Sequence, residues 1–268
     1  MKHLLGALLL AGVLPAAAAP LRVASVSLCT DLLLLETAAP AQIASLTWLA
    51  SDPSLSPFAA RARQFPVNHG HVEEMLALAP DLVLTDDVTP ARTRDLLSRL
   101  GLRVEIVPLA HTPAAIREAL SRVAVLLGRE AENSQLLQAF ERLGPAPARA
   151  TPASAWVVQP GGHTPGQPSV ANALLEAAAL DNAAARAGYA QGGFVALEKL
   201  VAAAPRFLLV PPPTPGGFSL GARYLDHPAL RHASRDGRLS PVALRESDWT
   251  CGSSAFLDAA RTLRTAAP

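Results

Sequence analysis

The chain lacks an excess of either charge. Basic residues number 23 against 22 acidic ones, a formal net charge of +1, and only 17% of the 268 residues are charged. A nucleic acid or an anionic membrane surface would call for a basic excess, so neither is expected as a partner. Aromatic residues make up 4%, so each Trp and Tyr carries more information than usual, and cysteine occurs only at Cys29 and Cys251. After the first nineteen residues no run of eighteen apolar residues occurs, which excludes a membrane-spanning helix there. Catalytic signatures are missing too: there is no G-x-S-x-G elbow, no G-x-x-x-x-G-K-[ST] loop and no H-E-x-x-H. "GGHTPGQ" (Gly161–Gln167) has the glycine but not the spacing of a phosphate loop and reads as a strand-to-helix turn. No enzymatic activity and no resident cofactor or metal are expected.

Half of the residues are hydrophobic, enough to build real cores. The basic start Met1-Lys2-His3, the apolar Leu4–Leu14 and the small Ala16–Ala19 have the layout of a secretory signal peptide over residues 1–19. No cysteine closes the apolar run, so a soluble, exported protein without a lipid anchor is expected. Leu21–Ser27 reads as a buried strand, followed by the helical "LLLLETA" with Thr30 or Asp31 as its cap. A strand near Ile43–Leu46, a helix within His71–Ala79, the strand "DLVLTD", a helix over Arg92–Leu100 and the strand "RVEIVPL" follow. This alternation predicts a parallel α/β sheet.

The stretch "HVEEMLALAPDLVLTD" (His71–Asp86) returns as "ALEKLVAAAPRFLLVP" (Ala196–Pro211), with Glu73 over Glu198 and Pro80 over Pro205. Two α/β lobes of one pattern are therefore expected. Between them, helical spacing from Pro113 to Leu143 predicts one long linking helix of roughly 46 Å, with Gly128 as a bend. The expected organisation is an N-terminal lobe over 20–111, the linking helix over 112–144 and a C-terminal lobe over 145–268. In such lobes ligands gather beyond the carboxyl ends of the strands. Those ends carry Cys29, Thr30, Trp48, Asp86, Gln159, Asp248 and Trp249, and two of the three tryptophans there suggest a flat apolar ligand. His69 and His71, with Asp86, Asp87 and His163, offer zinc or manganese ligand types, although the pair alone falls short of a ligand set.

The strand followed by "SLCTDLLL", the two helix–proline–strand units and the linking helix resemble the periplasmic substrate-binding proteins of ABC importers for vitamin B12, ferric siderophores or haem, the Fe/B12 periplasmic-binding domain family. Within that family "SDW" (Ser247–Trp249) is similar to the vitamin B12 binders, and Trp48 stands where they carry a cleft aromatic. The chain departs from them at "TCGSSA" and at Asp86. The resemblance implies two Rossmann-like lobes, a preformed cleft and a monomer that delivers a bulky metal chelate to a permease dimer in the inner membrane. It also implies that Glu73 and Glu198 dock on the permease, although either acid would also suit the first turn of a helix on its own.

Asp86, Asp87 and Asp248 at the cleft, with Arg223 the one obvious basic candidate, favour a neutral or weakly cationic ligand, hence a corrinoid or a ferric hydroxamate. Haem held by His69, His71 or Tyr224 is an alternative, as is a secreted enzyme with a metal-activated water at His69, His71 and Asp86. Trp48 and Trp249 are expected to face each other across the cleft. In an exported protein Cys29 and Cys251, one on each lobe, either form a bridge or line the cleft as free thiols.

Overall fold

The computed structural model describes residues 20–212 and 220–266, so the expected signal peptide lies outside the described residues. Strands and helices alternate through the first half: β1 (Val23–Ser25), α1 (Leu28–Thr37), β2 (Ile43–Thr47), α2 (Ala59–Ala62), β3 (Val67–Asn68), α3 (Val72–Leu78), β4 (Leu82–Thr85), α4 (Ala91–Arg99) and β5 (Val104–Ile106). They form a parallel sheet in the order β3-β2-β1-β4-β5. After α5 (Pro113–Leu126) and α6 (Glu130–Leu143) the pattern restarts with β6 (Ser154–Val157), β7 (His163–Thr164), α7 (Val170–Ala177), β8 (Asp181–Asn182), β9 (Gly193–Phe194) and α8 (Leu197–Ala203). It closes with β10 (Phe207–Val210), α9 (Leu220–Leu225), α10 (Pro228–Arg235), β11 (Ser240–Ala243) and α11 (Ala255–Ala266). The second sheet, β11-β10-β6-β8, is also parallel, and β7 pairs with β9 in a small antiparallel ribbon.

The repeat is structural as well as textual. β6, β8, β10 and β11 hold the places in their sheet that β1, β2, β4 and β5 hold in theirs. Helices α3 and α8 each bury one residue, Met75 and Leu200, and each ends on an alanine with left-handed backbone, Ala79 at φ 42° and Ala204 at φ 41°. Pro80 and Pro205 follow, and proline keeps the residue before it out of helical geometry.

The linking segment is helical over the expected stretch, but it is not one rod. α5 stops at Leu127, and Gly128 takes a left-handed φ of 65°. Gly128 N and Arg129 N bond back to Val125 O and Ala124 O, and the Gln42 side chain donates to the carbonyl of Leu127 at 2.9 Å. With those helix-end groups satisfied the chain reverses. Arg117 near the start of α5 pairs with Glu141 near the end of α6 at 2.7 Å, so the two fourteen-residue helices run back along each other. The cap of α1 also differs from expectation. Ser27, not Thr30 or Asp31, accepts from Thr30 N, while Asp31 is buried.

Alternation along the strands sorts the interior. Val23, Leu82 and Leu84 on one face, and Ala155, Val157, Phe207 and Leu209 on the corresponding face of the second sheet, belong to a single core with α1, α5, α7 and α11. Ala24, Val83 and Met75 form a smaller cluster on the far side of the first sheet, and Trp156, Leu208 and Leu200 do so on the second. The lobes therefore have separate outer cores and a shared inner one.

Candidate ligand cleft between the lobes

A cavity of about 260 Å³ opens between the lobes. Cys29, Thr30 and Leu33 of α1, Val107–His111 after β5 and Ala119 of α5 line it from the N-terminal half. Gln159, His163, Pro165, Ser169, Val170, Glu246 and Trp249–Gly252 line it from the C-terminal half. These are strand-end segments and helix starts, where a doubly wound sheet presents its loops. Cys29 and Cys251 are joined by a disulfide with Cα atoms 5.2 Å apart, which ties the start of α1 to the loop after Trp249 across 222 residues of sequence.

The polar side of the cavity is a chain of three groups. Glu246 accepts from the Gln159 amide, whose carbonyl accepts from His163 Nδ1 at 2.6 Å, so a neutral His163 keeps Nε2 as an acceptor. Burial raises the pKa of Glu246, opposed by the Gln159 hydrogen bond and the nearby His163. The exposed Phe194 packs edge-on against the His163 ring, with centroids 5.3 Å apart, and so stands beside the cavity. His111 lines the opposite wall, its Nδ1 buried and without a partner.

Of the residues expected in the cleft, Cys29, Thr30, Gln159 and Trp249 line the cavity. Trp249 is buried and belongs to the shared core. Trp48, 52% exposed in the turn after β2, lies outside the enclosed space. That turn is held from below by Asp31, which accepts from Thr47 N at 3.0 Å and from the Thr47 hydroxyl. Burial raises the pKa of Asp31 to about 8 against the hydrogen bonds from Thr47 and Ser25, and nearby Asp86 adds to the rise.

The other expected residues have local tasks and do not line the cavity. Asp86 accepts from the amide and hydroxyl of Thr89 at 2.8 and 2.7 Å, and Asp248 pairs with Arg245 at 2.9 Å. The Tyr224 hydroxyl donates to Val195 O at 2.9 Å, and burial pushes its pKa to about 12. His69 pairs with Glu74 at 2.9 Å, and that hydrogen bond is the main cause of a Glu74 pKa near 2. The metal set of His69, His71 and Asp86 is therefore not assembled. Among the described residues no group of three His, Cys, Asp or Glu side chains could hold a metal ion. Glu73 and Glu198 are exposed in the first turns of α3 and α8.

Sequence reasoning missed His111, His163 as a cavity residue, Glu246 and Phe194. His111 follows the end of β5, so the strand-end rule applied to that strand would have found it. Glu246 and Phe194 carry no signal of their own.

No protein-family model matches the sequence, and no curated protein matches it. Solved structures do. The apo periplasmic haem-binding protein RhuT of Roseiflexus sp. RS-1 superposes with a TM-score of 0.69 at 20% identity, over 93% of this chain and 100% of that one. The periplasmic vitamin B12-binding protein BtuF of Vibrio cholerae gives 0.67 at 15% identity, over 92% and 96%. Helicobacter pylori CeuE with Ni(II) bound gives 0.69 at 13% identity, over 93% and 84%. The fold is that of the two-lobed, helical-backbone periplasmic binding proteins. In this chain the cavity lies between the lobes and is walled by a disulfide that joins them.

Proposed function

We propose that the protein is a periplasmic binding protein that hands a bulky, neutral or weakly cationic metal chelate, a corrinoid or a ferric hydroxamate siderophore, to an inner-membrane ABC importer. It acts by binding and not by catalysis. The composition of the interlobe cavity carries the reading: among the described residues its lining holds one carboxylate, Glu246, two imidazoles and no lysine or arginine. An anionic catecholate chelate would meet Glu246 there without a guanidinium to compensate. The amides of a corrinoid would instead find acceptors in Glu246 and His163, and a carbonyl of a corrinoid or a hydroxamate would find a donor in the second hydrogen of the Gln159 amide.

The enclosed volume of about 260 Å³ is just under the usual ~300–1,000 Å³ of ligand pockets. A bulky chelate would therefore enter by one edge and lie across the mouth beside the exposed Phe194, and the exposed Trp48 would offer it a second flat apolar face. The protein would work free in the periplasm as a monomer; among the described residues no helix is long and apolar enough to cross a membrane. Glu73 and Glu198, matched on the two lobes, would meet the two subunits of a permease dimer.

One observation favours haem as a second reading: His111 and His163 bring an imidazole to the cavity from each lobe. The propionates of haem would lack a cation in the lining, so this reading ranks below the first. The absorption spectrum of protein purified from its own periplasm separates the readings, since a corrinoid, a ferric hydroxamate and a haem absorb differently. A colourless protein that binds none of the three on titration would refute both.

A further inference from the structure

Three contacts dock the turn Trp249–Ser254 of the C-terminal lobe on the N-terminal lobe. Cys251 is bonded to Cys29. Gly252 comes so close to the start of α5 that a Cβ there would stand 2.6 Å from Ile116 Cγ1 and 3.3 Å from Ala110 Cβ. Ser254 N donates to both carboxylate oxygens of Glu36, at 2.9 and 3.1 Å. Cys29 and Glu36 are seven residues apart on α1, so they share a face and grip the turn at points about 10 Å apart. The turn is also a wall of the cavity, since Trp249, Thr250, Cys251 and Gly252 line it together with Cys29.

We infer that this turn is a clasp for ligand binding: the Cys29–Cys251 bond, with Glu36 and Gly252 as positioning residues, holds the cavity in its binding form, and a dithiol reductant releases it. The inference rests on the reading of the interlobe cavity as the ligand site. In the release step one thiolate of the dithiol attacks Sγ of Cys29, the less buried residue of the pair. The S–S bond breaks, and Cys251 leaves as a thiolate that takes a proton. The second thiol of the reductant then displaces Cys29 from the mixed disulfide. The reductant departs as its own disulfide, and two electrons and two protons end on the cysteines. The shared core still joins the lobes, so reduction frees the turn and leaves the fold in place.

Amide hydrogen exchange on the mature protein, oxidised and after reduction with dithiothreitol, tests this without any ligand. Residues 249–254 and 107–111 should exchange about tenfold faster or more after reduction, with β1, β4, β6 and β10 unchanged. The double variant Cys29→Ser, Cys251→Ser should reproduce the reduced pattern. Glu36→Ala should loosen the same turn, whereas Glu36→Gln, which keeps an acceptor for Ser254 N, should restore it. Equal exchange in both redox states overturns the inference, as does acceleration spread evenly over all strands.

A second arm titrates cyanocobalamin, ferrichrome and hemin. Any of them bound by the oxidised protein should bind the reduced protein about tenfold more weakly or worse. Equal affinity refutes the clasp. If the oxidised protein binds none of them, it is the ligand reading that fails, and the exchange data alone decide the clasp.

Discussion

Replacing Asp31 by asparagine should change how stability depends on pH. Asp31 is fully buried in the first turn of α1, beneath the Thr47–Trp48 turn that it holds. Burial moves its pKa from 3.8 to about 8 on folding. Between those values the native protein keeps a proton that the unfolded chain has released. The stability linked to this group is therefore complete below pH 3.8 and is lost as pH rises through about 8, with a slope of about 1.4 kcal/mol per pH unit. The asparagine variant has no such proton. Relative to wild type it should gain with rising pH, by about 6 kcal/mol across the whole window, which is a large share of an ordinary domain's stability. Glu36, whose pKa burial raises to about 7 against the Ser254 hydrogen bonds and Arg61, adds a slope of the same sign to both proteins and cancels in the difference. Urea denaturation of the two proteins at several values between about pH 5 and about pH 8 measures the divergence. Parallel stability curves would refute the reasoning, because they would mean that Asp31 is already ionised in the native state.

Ala79→Gly and Ala204→Gly should each raise stability by about 0.5–1 kcal/mol in thermal unfolding, since glycine takes left-handed φ without the Cβ penalty; a lower melting temperature in both would show that the helix ends are not strained. Trp48→Ala and Phe194→Ala should each weaken binding of the proposed chelate about tenfold with little change in melting temperature, because both rings are exposed. Unchanged affinity in both would remove the rim from the binding site. Glu73→Arg combined with Glu198→Arg should abolish uptake in cells while ligand affinity and melting temperature stay near wild type, and normal uptake would reduce the pair to ordinary helix-end acids.

The repeat was legible in the sequence because it rests on local chemistry. Glu73 and Glu198 in first turns, Pro80 and Pro205 after the helices and the apolar strands that follow are all short-range signals. The helix break was not legible. A lone Gly128 is tolerated within many helices, and the chain reversal is completed by Gln42, which reaches the Leu127 carbonyl from 85 residues away. At the cleft, a strand's end fixed where a residue lies but not where its side chain goes. Asp86 and Asp248 close local turns and ion pairs, Tyr224 turns to Val195, and His69 turns to Glu74. The Gln159–Glu246 contact joins residues 87 apart, and no periodicity announces such a partner.

The inner core has a consequence for how a protein of this fold can vary. A fragment ending before α5 would expose the apolar side of its sheet along with Leu32 and Leu34 of α1. It would therefore be sticky in isolation. Heat or denaturant should take both halves apart in one cooperative step. Exchange of a whole lobe between proteins of this fold would have to carry a matching inner layer. Change is cheapest in the outer clusters and in the strand-end loops, where neither half has to fit the other.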